Sequence, residues 1–216
     1  MKYKLVIFDF DGTLADSFPF FLRTVNILAD KYNFQRIEDK DVDTLRGLDA
    51  RQMMKVSKLP AWKIPFIARS FIRLMAQDID KIQLFNGVTG LLKQLSAHGV
   101  QLAIVSSNSK ENVRKVLGAD IALLINQYEC GTALFGKQSK FKKVMAKSGV
   151  TPAETLCIGD ELRDIDAAQS VKSACGAVAW GYTRIDALQA KPGILLFHNV
   201  NDIAATVLDT PLSAAL

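Results

Sequence analysis

Apolar residues occur along this chain in short unbroken runs that stop at small or charged residues. The runs cover residues 4–10, 102–107, 156–158 ahead of Gly159 and Asp160, 177–180 and 194–197. Runs of this length without polar alternation suit strands covered on both faces. Between them the apolar positions recur at helical spacing. Residues 89–97 carry Leu91, Leu92 and Leu95, and residues 110–117, with Ser109 placed to cap them, carry Val113, Val116 and Leu117. Residues 139–148 carry Phe141, Val144 and Met145, residues 164–171 carry Ile165, Ala168 and Val171, and residues 201–208 form a final helical stretch. Such alternation predicts an α/β fold with a parallel sheet wound on both sides. Ligands in such folds sit beyond the carboxyl ends of the strands, where the polar endings of these runs fall.

Residues 16 to about 83 break the rhythm. Ser17 is placed to cap a helix with Pro19 in its first turn, and Phe21, Val25 and Leu28 then follow at helical spacing. Residues 49–56 predict a second helix, and Ile67, Phe71 and Leu74 mark another after Pro60 and Pro65. With no strand-like run here, the segment reads as an all-helical insertion. The division expected is 1–15 as the first strand and its loop, 16–83 as a helical cap, and 84–216 as the rest of the α/β core.

Composition narrows the setting. The chain has 216 residues, 49% of them hydrophobic, and no apolar run long enough for a transmembrane helix. Its first apolar run is too short for a signal peptide and acidic residues follow at once. Cys130, Cys157 and Cys175 are too few and scattered for a disulfide or zinc framework, and Cys157 reads as buried filler. A reduced, cytoplasmic protein with no membrane partner is expected. The net charge of +5 admits an anionic partner, but no nucleic-acid motif accompanies it. Lys140, Lys142, Lys143 and Lys147 read as a solvated helix face.

The first run ends in "DFDGTLADS". On a continuing strand, Asp9 and Asp11 point the same way with Cα atoms roughly 6–7 Å apart. Two such carboxylates raise each other's pKa unless a cation intervenes. Oxygen ligands without His or Cys favour Mg²⁺. Gly12 permits a sharp turn, and Thr13 offers a hydroxyl and backbone N–H groups to an anion. A second acidic group, "GDELRD", closes the run at 156–158, with Asp160 at its end and Asp164 four residues on, either as a helix cap or as part of the same site.

"DFDGTLADS", followed by "VSSN" and then "GDELRD", resembles the haloacid dehalogenase superfamily, specifically its phosphatase branch with a helical cap. "AVAWGY" is similar to phosphoglycolate-phosphatase-like members. The resemblance covers nearly the whole chain and implies a Rossmann-like doubly wound core. It implies that Asp9 is the nucleophile and a metal ligand, and that Asp11 is the general acid and base, its backbone carbonyl also a ligand. Ser107 and Asn108 would hold the phosphoryl group, with Ser106 the competitor of Ser107. Lys137 would balance charge, with Lys140 the alternative. Asp160 and Asp164 would complete a Mg²⁺ site. Arg46 and Arg51 in "LRGLDAR" would meet an anionic group of the substrate, or else face solvent. Lys172 stands where relatives often have Gly, and His98 and His198 are not needed. The implied activity is Mg²⁺-dependent hydrolysis of a phosphorylated small molecule, phosphoglycolate-like or a sugar phosphate, by a monomer or homodimer. A phosphosugar mutase and a catalytically silent binding protein on the same scaffold are the alternatives.

Overall fold

A computed structural model of the chain describes residues 1–131 and 136–209. The first apolar run becomes β1 (Leu5–Phe8), whose four side chains are fully buried. β2 (Gln101–Val105) and β4 (Thr155–Gly159) pair with it in parallel on either side. β3 (Gln127–Glu129) extends the sheet beyond β2, and β5 (Ala174–Val178) and β6 (Ile194–Phe197) extend it beyond β4. The order is β3-β2-β1-β4-β5-β6, all parallel, so β1 and β4, buried along their whole length, form the middle of the sheet.

Strand alternation sends Val6 and Phe8 to one face and Leu5 and Ile7 to the other. The first face packs Leu102, Ile104, Leu156 and Ile158 under α5 (Val88–Ala97), α6 (Lys110–Leu117), α7 (Ala119–Leu124) and α11 (Val200–Leu208). The second packs Ala103, Val105 and Cys157 under α8 (Lys137–Ser148) and α9 (Leu162–Ser170). Cys157 is buried there, its thiol pushed up to about 12 by desolvation, which suits inert filling. Ser109 caps α6, accepting the Asn112 N–H at 3.1 Å. The remaining helix of this part is α10 (Ile185–Gln189).

Between β1 and α5 lie α1 (Phe18–Tyr32), α2 (Asp39–Leu45), α3 (Ala50–Val56) and α4 (Ile64–Gln77). The chain enters and leaves this helical segment at one place: Asp16 N–H donates to Gln83 O at 2.8 Å, and Ala15 bridges Leu84.

Several local expectations are revised. β1 ends at Phe8, and Gly12 (φ 76°) turns the chain, so strand alternation does not extend to Asp11. Ser17 stands at the N-cap of α1 but makes no cap bond; its hydroxyl meets the Tyr182 hydroxyl at 2.9 Å. β3 escaped the hydrophobic pattern because it is three half-buried residues at a sheet edge. α2 escaped it because one residue, Leu45, is buried. Lys143 and Lys147 project to Glu129 on β3, at 2.8 and 3.0 Å, rather than simply to solvent.

Candidate active site

β1 and β4 are neighbours, with Phe8 opposite Ile158, so the residues after each strand meet. Asp9 N–H still donates to Ile158 O at 2.8 Å, which brings the Asp9 carboxylate beside the end of β4. That carboxylate is 4% exposed. Its Oδ1 accepts the Phe10 N–H at 2.7 Å, and its Oδ2 pairs with Lys137 Nζ at 2.8 Å. Lys137, the first residue of α8, also donates to Asp164 Oδ1 at 2.5 Å. The other oxygen of Asp164 accepts the Glu161 N–H at 3.1 Å and closes the first turn of α9. Asp164 is therefore both a helix cap and a member of the acidic group.

Asp160 is fully buried at the end of β4. Thr13 donates its hydroxyl to Oδ1, and Tyr182 donates its N–H to Oδ2, each at 2.8 Å. Thr13's hydroxyl is thus committed to a carboxylate. Gly12 and Gly181 flank Asp160 so closely that neither can carry a side chain. A Cβ at Gly12 would meet Asp160 and, at 2.6 Å, the Tyr182 ring; one at Gly181 would collide with Asp160 Cβ.

Carboxylate oxygens of Asp9, Asp160 and Asp164 lie within 4.8 Å of one another. Burial lifts Asp9 to about 7, with Lys137 opposing the rise. Burial, then the charges of Glu161, Asp9 and Asp164, push Asp160 well above the carboxylate range. Burial also works against ionisation of Asp164, but Lys137 and Arg163 outweigh it and hold its pKa down. Among the described residues no Lys or Arg pairs with Asp160; Lys137 serves Asp9 and Asp164. A buried carboxylate without a cationic partner, in an all-oxygen trio, is the donor set a hard divalent cation takes. The residues present fit such an ion.

Asp11 sits on the rim. Its carboxylate accepts from Asn108 Nδ2 at 3.1 Å, and burial raises its pKa against the hydrogen bonds of Ser17 and Asn108. Asn108 is held in turn: its Oδ1 accepts from Ser109 N at 2.8 Å and from Asn112 Nδ2 at 3.1 Å. Ser106 is buried with its hydroxyl accepting the Asn108 N–H at 3.0 Å, whereas Ser107 is half-buried on the wall of a cavity. Lys140 reaches two backbone carbonyls, Ser106 O at 3.2 Å and Gly131 O at 2.8 Å, and Lys137 is the lysine that meets the carboxylates. Arg46 donates from Nε to Tyr182 O at 2.9 Å and from a terminal nitrogen to Gly181 O at 3.0 Å, with its guanidinium over the Phe18 ring. It ties the helical segment to the loop that holds Asp160. Arg51 is exposed on α3, off the cavity wall.

A family model described as haloacid dehalogenase-like hydrolase matches residues 6–178. The chain belongs to this family. The chain is 31% identical to phosphoglycolate phosphatase from Synechococcus elongatus over 205 residues, covering 94% of this chain and 97% of the relative. Within the haloacid dehalogenase-like hydrolases it is therefore a phosphatase of the phosphoglycolate-phosphatase-like kind. A predicted phosphoglycolate phosphatase from Haemophilus somnus superposes with a TM-score of 0.73 at 26% identity, covering 95% of this chain and 98% of the other. A predicted phosphatase from Clostridium acetobutylicum, at 18% identity and a TM-score of 0.80 over 97% and 100% of the two chains, shares the fold.

Sequence reasoning passed over three residues of this site. Arg163, which lowers Asp164 and pairs with Glu161 at 2.6 Å, had read as part of an unassigned stretch of "GDELRD". Asn112 lies one helical turn past Asn108, a spacing that does place the two amides together. Tyr182 follows "AVAWG", and no local signal announces that its N–H reaches Asp160, 22 residues away.

Proposed function

We propose that this enzyme is a Mg²⁺-dependent phosphatase of small phosphomonoesters that works through an aspartyl phosphate on Asp9. The observation that carries the reading is the Asp9 carboxylate, buried, paired with Lys137 and within 4.8 Å of Asp160 and Asp164 oxygens, with Asp11 two residues on. An oxygen of Asp9 attacks phosphorus and the bond to the leaving oxygen breaks. Asp11 gives that oxygen its proton, and the alcohol departs. Asp11 then takes a proton from water as the water attacks the phosphoryl group, which breaks the bond to Asp9 and frees inorganic phosphate.

The raised pKa of Asp11 suits a group that must arrive protonated. Asn108 holds it in position. Lys137 offsets the repulsion between Asp9 and a dianionic ester. Ser107 and the backbone around Asn108 hold the transferred group. A Mg²⁺ held by Asp9, Asp160 and Asp164, with the Asp11 carbonyl, would supply positive charge where the phosphoryl oxygens gather. Residues 16–83 act as a cap on a core formed by 1–15 and 84–216, the last residues of which, 210–216, lie outside the described structure. The cap excludes water from the reacting groups. The names of the relatives make phosphoglycolate the first compound to assay.

Purified protein is expected to hydrolyse p-nitrophenyl phosphate with Mg²⁺ and to stop when the metal is chelated. Asp9→Asn lowers kcat by about 10⁴-fold or more. Acid-quenched protein carries one phosphoryl group on the Asp9 peptide, found by mass spectrometry. Undiminished turnover in Asp9→Asn would discard the mechanism.

A further inference from the structure

A cavity of about 330 Å³ opens at Asp11, Ser107 and Asn108 and runs into the interior of the cap. Beyond those three residues its wall is overwhelmingly hydrocarbon, with Phe21, Phe71, Leu28, Phe34, Ile67 and Met53 contributed by all sides of the helical segment. Two cationic side chains line it, Arg46 and Arg163. Arg46 is bonded to two backbone carbonyls and stacked on Phe18, and Arg163 is paired with Glu161 through one terminal nitrogen while its buried Nε has no partner among the described residues. Asp11, Asp49 and Glu161 stand on the same wall, so carboxylates outnumber guanidinium groups there. Beyond the reach of Arg163, a second anionic group would lose its hydration against hydrocarbon. A sugar would leave several hydroxyls unpaired in the same place. A hydrocarbon chain or ring would instead gain by leaving water.

From this we infer that the preferred substrate is the phosphate monoester of an apolar alcohol. Its phosphoryl group sits at Asp9, and its hydrocarbon body fills the cap cavity. The inference rests on the phosphatase reading and narrows its substrate class. It ranks sugar phosphates, and phosphoglycolate, which leaves the cavity empty, below esters whose hydrocarbon fills it.

The test is a chain-length series on the wild-type enzyme with Mg²⁺: ethyl, butyl, hexyl and octyl phosphate beside phosphoglycolate and glucose phosphate. We expect kcat/KM to climb by about fourfold per methylene, the equivalent of about 0.8 kcal/mol each, until the cavity is full. Phosphoglycolate falls well below octyl phosphate. Ala68→Trp, which projects bulk into the cavity from α4, ends the climb at a shorter chain. Calorimetry with non-hydrolysable alkylphosphonates gives a readout independent of turnover, octylphosphonate binding far more tightly than ethylphosphonate. A flat chain-length profile, phosphoglycolate as the best substrate, or equal phosphonate affinities would each overturn the inference while leaving the phosphatase reading intact. Failure to hydrolyse any ester would remove that reading and the inference with it.

Discussion

The sheet and the helical segment between β1 and α5, the proposed cap, are built to different standards of packing. On the sheet, Leu5, Ile7, Leu102, Ile104 and Leu156 have no exposure, and every strand end beside β1 delivers a side chain to a fixed place. In the cap, α1 buries five residues, α2 buries one, and Val42, Met53, Ile67 and Ile72 stay half-buried around an open interior. Charges that must be held within a few ångströms need the first kind of packing, because a buried carboxylate tolerates little error in its partners. A chamber for a variable organic group needs only walls. The division teaches that precision and vacancy are assigned to different parts of the chain.

The comparison is broken most severely at its best-packed point. Lys137→Ala leaves Asp9 and Asp164 buried beside each other without their shared ammonium group. We expect a loss of about 3–5 kcal/mol in metal-free protein, measured by urea denaturation, and a large part of it restored by saturating Mg²⁺. An unchanged midpoint would mean the pairs contribute nothing. A milder contrast sets sheet against cap directly. Leu92→Ala, at a site with no exposure under the sheet, costs about 2–5 kcal/mol. Ile67→Ala, at a half-buried site already facing a cavity, costs about 1 kcal/mol or less. Equal losses would show that the cap is packed as tightly as the core.

A third measurement follows from charge. Burial lifts Asp9 from 3.8 to about 7 and also raises Asp160. The folded state therefore holds protons there that the unfolded chain has released, and without metal this contribution to stability declines as pH rises from the ordinary carboxylate range toward about 7. Asp164, with its pKa lowered, contributes in the opposite sense at the acid end. A cation must displace those protons, so the rise in Tm caused by Mg²⁺ is small at about pH 5 and several degrees at about pH 8. Equal shifts at both would sink the assignment of the metal to these carboxylates. The smallest effect lies far from the site. Lys172 has φ of 60°, the left-handed region that disfavours a side chain, so Lys172→Gly raises stability by about 0.5–1 kcal/mol without altering kcat.

The sequence made the core legible because five of its six strands lie in apolar runs, β3 being the exception; the predicted run at 194–197 matches β6, and the other four differ from their strands by a few residues at the ends. Asp9 and Asp160 were legible for the same reason, since each follows such a run. Lys137 was read ahead of Lys140, but the two lie three residues apart at the start of one helix, and the turn of that helix toward Asp9 is a property of the fold. Arg46 looked available for a substrate because its backbone partners, Gly181 and Tyr182, lie 135 and 136 residues away. The interior of the cap was hidden altogether. Its apolar residues have the helical spacing of an ordinary core, and periodicity tells which face is inward but not how completely that face is filled.

The two glycines that wedge Asp160 carry an evolutionary consequence. With Gly12 and Gly181 each facing that carboxylate across a gap narrower than a methyl group, a gene library randomised at both codons and screened for turnover should return glycine alone at each. The acid between them inherits its address from two positions that have no chemistry of their own.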